Sequence, residues 1–298
     1  MEKEEKSWLF LNGFWLKIIA LLCMTLDHLG LMINMYYLPD SDPLIIVLRS
    51  IGRLALPLFC FMICEGCLHT KHKGKYAIKL GIMAVLISIS IVVLGEGRII
   101  PSIPKTDIRM FGNIFIDLLL GASAIFCLQS KKIGLKFLAL LPIAYSVVSY
   151  IVYGYEWTTG TLIHWFPYFL RTQYGWFGVA LIIVFYLSYY LKDLYLTIHE
   201  ENTGIPASSL DGTIFSRIPV NIISAILLVG VSLVYSLSTS ALHYMMIPQQ
   251  AFASLAAILI IFYNGTRGYN KKWFQYGCYV YYPLHILILA FIFFLITK

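Results

Sequence analysis

Nine apolar runs follow one another along the chain, near 14–37, 44–69, 76–95, 112–129, 134–153, 175–196, 218–239, 247–264 and 274–297. A helix needs about 20 apolar residues to cross a hydrocarbon core about 30 Å thick, so each run predicts a membrane-crossing helix. The stretch WTTGTLIHWFPYFLR at 157–171 is too broken to span, and its Trp157, Trp165 and Tyr168 suit the membrane surface. Two connections are long: 96–111, and 197–217, which is polar, contains Pro, Gly and Ser, and reads as a flexible cytoplasmic loop. The pattern predicts an all-α polytopic bundle of about nine helices, one domain over 1–298 with 14–297 in the membrane. The opening MEKEEKSWLF is charged and the run after it is too long for a cleavable signal peptide, so the first span is expected to be a permanent anchor. We see no internal repeat of the kind from which many transporters are built.

Composition agrees. Hydrophobic residues make up 59% of the 298 positions and charged ones 12%, against about 25% charge in soluble domains. The formal net charge of +7 does not imply nucleic acid, because the basic residues sit in short loops between apolar runs. With the N-terminus cytoplasmic, fourteen of the 22 lysines and arginines fall inside and five outside, the positive-inside bias. The C-terminus is then external, and the chain is expected to be a multi-pass membrane protein. All six cysteines lie in apolar runs, where the residue behaves as a small hydrophobe, and no metal is expected.

Against this background the ionisable residues inside the spans stand out. Lys17, Asp27 and His28 lie in the first, Arg49, Arg53 and Glu65 in the second, Asn113 and Asp117 in the fourth, and Tyr282 and His285 in the ninth. Charge at such depth is costly and marks a site by default. At 1.5 Å per residue, His28 lies about 20 Å up from the inner boundary, and Arg49 and Arg53 about 8–14 Å below the outer one. Asn113 and Asp117 fall in the outer third, and Tyr282 and His285 at or above the midplane. Four helices far apart in sequence therefore bring polar groups to one depth band. Lys17 and His28 are eleven residues apart, returning to one helix face within about 20° and about 16 Å apart. A long anionic substrate fits that face, its phosphates at Lys17 and its reactive end at His28.

Each residue also has a structural reading. Lys17 can snorkel to the interface. Arg49 and Arg53 can pair with Asp27 or Asp117. Glu65 and His69, at i,i+4, can cap or pair locally, and His285 follows Pro283 and can satisfy a carbonyl freed by it. Asp27-His28 is the hardest to explain structurally.

The segments LKIIALLCMTLDHLG, LRSIGRLALPLFCFMICEGCLHTKHKGKY, NIFIDLLLG and NGTRGYNKKWFQYGCYVYYPLHILIL, in this order, resemble the TraX family, named for a conjugative-plasmid membrane protein that N-acetylates pilin. The likeness runs over nearly the whole chain. It extends to multi-pass acyltransferases of cell-surface glycans, which carry a basic residue, ten intervening residues and a histidine in the first span, as Lys17 and His28 do here. Their paired arginines resemble Arg49 and Arg53, although the usual gap is two residues and here it is three. The resemblance implies transfer of an acetyl group from cytoplasmic acetyl-CoA to a pilin-like protein or glycan at the outer face. An imidazole can deprotonate an amine or hydroxyl, or carry the acyl group itself. Asp27, about 100° around the helix from His28, can support the imidazole or pair with an arginine. Arg49 or Arg53 can stabilise an oxyanion, and His285 a supporting role. A transporter or flippase of an anionic solute is the alternative, with the arginines as cradle; a non-enzymatic pilus assembly factor is a third reading. Neither the acceptor nor the oligomeric state is legible.

Overall fold

A computed structural model describes residues 8–96, 112–241 and 248–296. Asn12 opens the first helix, its side chain accepting from the Trp15 amide at 3.1 Å, and α1 (Gly13–Tyr36) follows. The second crossing is a broken helix, α2 (Pro43–Gly52) and α3 (Ala55–His69). Pro57 has no N–H to give the Arg53 carbonyl, and the helical ladder is interrupted at Arg53 and Leu54. There follow α4 (Lys73–Glu96), α5 (Ile114–Leu128), α6 (Ile133–Phe137), α7 (Leu140–Thr159), α8 (Trp176–Thr203), α9 (Ala207–Leu210), α10 (Ile214–Ala241), α11 (Ala256–Ile261) and α12 (Lys272–Ile296). Two 3-10 turns, Tyr168–Leu170 and Pro248–Leu255, precede α8 and α11. Among the described residues there is no named strand, only isolated bridges at Leu11 with Tyr263 and Asn113 with Thr172.

Seven helices, counting α2–α3 and α6–α7 as one each, are long and apolar enough to cross a membrane. Ile114–Leu128 and Gln249–Ile261 are apolar but shorter, so among the described residues seven of the nine expected spans are full-length helices and two are short ones. The first is held short by the Asn113 cap, and the second begins as 3-10 helix. Residues 197–217, expected as a flexible loop, are for the most part helical. α8 continues to Thr203, where Gly204 at φ 72° ends it, and α9 and the start of α10 leave little of the connector non-helical. The connection at 97–111 lies outside the described residues.

The interior is the seam of α3, α5 and α8, filled by fully buried Leu58, Phe61, Ile125, Phe177, Leu181, Ile182 and Phe185. Phe61 meets Phe185 edge-on at 5.3 Å, and Tyr235 of α10 stacks on Phe177 at 4.5 Å. The outer surfaces of α4 and α12 are apolar instead: Ile78, Ile82, Val85, Leu287, Ile288 and Phe291 are all exposed. Such a belt is untenable in water and ordinary against lipid tails. α12 touches the bundle through α1 in a series of rungs: Phe274 on Phe14, Tyr281 on Thr25, His285 on His28 and Phe293 on Tyr36.

α1 and α2 approach closely because Gly30 and Gly52 face each other's helix. A Cβ on Gly30 would lie 2.9 Å from that of Leu48, and one on Gly52 would overlap the Asp27 side chain. Gly52→Ala is therefore expected to lower stability by about 1–3 kcal/mol through overpacking. Gly81→Ala, with nothing within 4 Å, should be neutral. Thermal denaturation of both variants in detergent checks this; equal melting of Gly52→Ala and wild type would refute the close approach.

Candidate functional site

The α1–α2 contact brings one carboxylate and two guanidiniums together. Arg49 Nη1 donates to Asp27 Oδ2 at 2.9 Å and to the Asp27 carbonyl at 3.3 Å, while Arg53 Nη2 donates to Oδ1 at 3.1 Å. Arg53 Nη1 donates to Gln250 Oε1 at 3.3 Å, drawing in the 3-10 segment before α11. Asp27, Arg53 and Gln250 are buried at 9%, 8% and 4% exposure. Two arginines against one carboxylate leave the set with one surplus positive charge.

One residue along α1, His28 Nδ1 lies 2.7 Å from His285 Nε2. His285 Nδ1 lies 2.8 Å from the Tyr281 carbonyl, which can only accept. Neutral His285 therefore carries its proton on Nδ1, its Nε2 accepts, and His28 Nδ1 is the donor. The remaining nitrogen, His28 Nε2, keeps a lone pair. The carbonyl bonded is that of Tyr281, not the Tyr279 carbonyl that Pro283 leaves without its helical donor. Tyr282 packs edge-on to both rings, at 6.4 Å from His28 and 5.9 Å from His285.

Asp27, His28, Arg49, Arg53, Tyr282 and His285 thus meet, and the other four residues singled out do not join them. Lys17 lies on the same helix with Nζ 5.7 Å from the Phe274 ring, a cation–π contact. Asn113 caps α5 and ties it to α4, donating to the Ala84 carbonyl at 2.6 Å and Ser88 Oγ at 2.9 Å. Asp117 accepts the backbone amides of Gln173 at 2.6 Å and Tyr174 at 3.3 Å, just before α8. Glu65 meets His69 Nδ1 at 3.5 Å, but its principal partner is Arg217 of α10, at 2.5 Å, with Tyr189 also donating to it. Arg217 further bonds Tyr189 Oη and Asn221 and lies 4.4 Å from the Tyr263 ring centroid.

Three sets escaped the sequence. Arg217 counts there as an inner-loop charge but lies inside α10, paired with Glu65. Arg171, counted outside, is buried with Glu156 at 2.5 and 2.8 Å and holds the Phe166 carbonyl, fixing the turn before α8. Removing one charge from each side leaves the inner excess standing. Gln250, third in PQQAFASL, had no periodic pattern to mark it; a glutamine heading an apolar run was the only signal.

Paired imidazoles and a carboxylate clasped by two arginines, inside a bundle of apolar helices, define a multi-pass membrane protein with a polar centre among its helices. The chain belongs to the TraX protein family, whose family model matches residues 13–293. It is 29% identical over 165 residues to the probable fimbrial assembly protein FimC, serogroup H1, of Dichelobacter nodosus. That match covers 52% of this chain and 63% of the relative, so the chain spans less than two thirds of the relative's length. No solved structure matches.

Asp27→Asn would leave the buried Arg53 and the half-buried Arg49 guanidinium facing a neutral amide. Breaking a buried pair in this way costs about 3–5 kcal/mol. We expect a large fall in melting temperature, partly restored in Asp27→Asn/Arg49→Met, which returns the surplus from two charges to one. A single variant as stable as wild type would mean that the ion set does not hold α1 to α2.

Proposed function

We propose that the protein is an acetyltransferase that moves an acetyl group from cytoplasmic acetyl-CoA to an amine or hydroxyl on an outer-face acceptor. The observation that carries this reading is the His28–His285 pair, whose hydrogen bonds leave His28 Nε2 with a free lone pair. His28 takes the proton of the acceptor amine or hydroxyl as the acceptor atom bonds to the acetyl carbon. The carbon–sulfur bond breaks, and His28 returns the proton to the departing thiolate. His285 fixes the tautomer of His28 and shares the imidazolium's charge, the part a carboxylate plays in a serine-protease triad. Asp27 instead holds Arg49 and Arg53, whose surplus charge stabilises the negative charge developing on the acetyl oxygen. Lys17, on the α1 face toward the cytoplasm, holds the donor's phosphates. Membership of the TraX family and the fimbrial relative support a pilin-like acceptor, with a surface glycan as the other candidate.

This assignment requires the N-terminus inside, in a bacterial plasma membrane. Reporter fusions at Gly74 and Ser130 should score cytoplasmic and one at Asp40 external; the inverse pattern would put Lys17 at the wrong face. With labelled acetyl-CoA and envelope extract, His28→Ala should lower turnover by a factor of about 10² to 10⁴ while acetyl-CoA still binds. His285→Ala should leave measurable activity with a displaced pH–rate profile. Lys17→Ala should weaken acetyl-CoA binding in calorimetry and keep the fold. If neither histidine change alters acetyl transfer, the catalytic assignment is wrong; if wild type transfers no acetyl group, transport of an anionic solute replaces this reading.

A further inference from the structure

Around Arg53 the hydrogen-bond account does not close. Arg53 Nε, Gln250 Nε2 and Ser50 Oγ are all buried donors without a partner among the described residues. They belong to one set. Ser50 and Arg53 are i,i+3 at the end of α2, where the Arg53 amide reaches the Ser50 carbonyl at 3.2 Å, and Gln250 is bonded to Arg53. The orientation of the Gln250 amide is fixed by chemistry: a guanidinium only donates, so the oxygen must face Arg53 and the NH₂ must face away. Three groups able to donate, on residues at 9%, 8% and 4% exposure, therefore belong to residues joined to a set whose net charge is positive. Buried donors in native proteins are almost always satisfied, because leaving one unpaired costs about 1–3 kcal/mol.

We propose that Arg53 Nε, Gln250 Nε2 and Ser50 Oγ bind a negatively charged oxygen of the substrate, and that Gln250 is a substrate-binding residue. Arg53 Nε and Gln250 Nε2 can only donate, the Ser50 hydroxyl can donate with them, and the surplus charge is positive, so the set favours an anionic acceptor over a cation. A carboxylate, a phosphate or the oxyanion of a tetrahedral intermediate each supplies what the set lacks. Which of these sits there depends on the acetyltransferase reading; that an anionic oxygen binds does not.

Two substitutions leave the surroundings intact. Gln250→Glu keeps an oxygen for Arg53 Nη1 while replacing the free donor by negative charge, and Ser50→Ala removes one hydroxyl. In the purified full-length chain, acetate and inorganic phosphate, each at tens of millimolar, are expected to raise the melting temperature of wild type. Gln250→Glu should abolish that rise and Ser50→Ala reduce it, with both variants melting cooperatively without anion. In turnover, a fall in kcat of about 10²-fold or more with KM for acetyl-CoA unchanged identifies the oxygen as the acetyl oxyanion. A raised KM for the acceptor at constant kcat identifies an anionic group of the acceptor instead; either result supports the site. An anion-dependent rise that survives in Gln250→Glu, or its absence in wild type, overturns the proposal. A Gln250-dependent rise in a protein that transfers no acetyl group would refute the acetyltransferase reading and leave the anion site standing.

Discussion

The structure turns on one carboxylate held by two arginines at membrane depth. A charge there is several kcal/mol out of place unless it is paired, and each oxygen of Asp27 has a guanidinium of its own. The pairing is possible only because α1 and α2 touch at glycines, and Gly52 leaves the space that the Asp27 side chain fills. Once it forms, it fixes the rotation of both helices about their axes. His28, the next residue of α1, is thereby turned toward α12, and Arg53 toward Gln250.

Two further ion pairs do comparable work elsewhere. Glu65 and Arg217 link α3 to α10, and Tyr189 and Tyr263 close over the guanidinium so that few of its donors face lipid. Glu156 and Arg171 fix the turn that presents Gln173 and Tyr174, just before α8, to Asp117. These two sets are balanced, one charge against one. The Asp27 set is not, and that imbalance separates a centre suited to a ligand from ion pairs that serve packing.

Much of this was legible in the sequence, and the reasons are physical. Lipid demands long apolar helices, so the elements announced themselves through hydropathy, and rare polar residues at matching depths pointed to Asp27, His28, Arg49, Arg53 and His285. What one-dimensional reading lacks is the rotation of each helix. Depth placed Asp117 with the arginines, but its carboxylate takes the amides of Gln173 and Tyr174 instead. Glu65 was visible, but its partner Arg217 lies 152 residues away and read as a loop charge. Gln250 is uncharged and sits in a 3-10 turn, so neither cost nor periodicity flagged it.

The two histidines are 257 residues apart, on the first and last described helices. Synthesis and membrane insertion proceed from the N-terminus, so α1 enters the bilayer with His28 already in place and waits through every intervening crossing for α12. The Asp27 clasp needs only α1 and α2 and can close early. A chain still being threaded therefore holds a paired, packed beginning but an imidazole whose tautomer nothing yet fixes. The order of translation is thus also an order of assembly, in which the bundle is built before its two-imidazole centre exists.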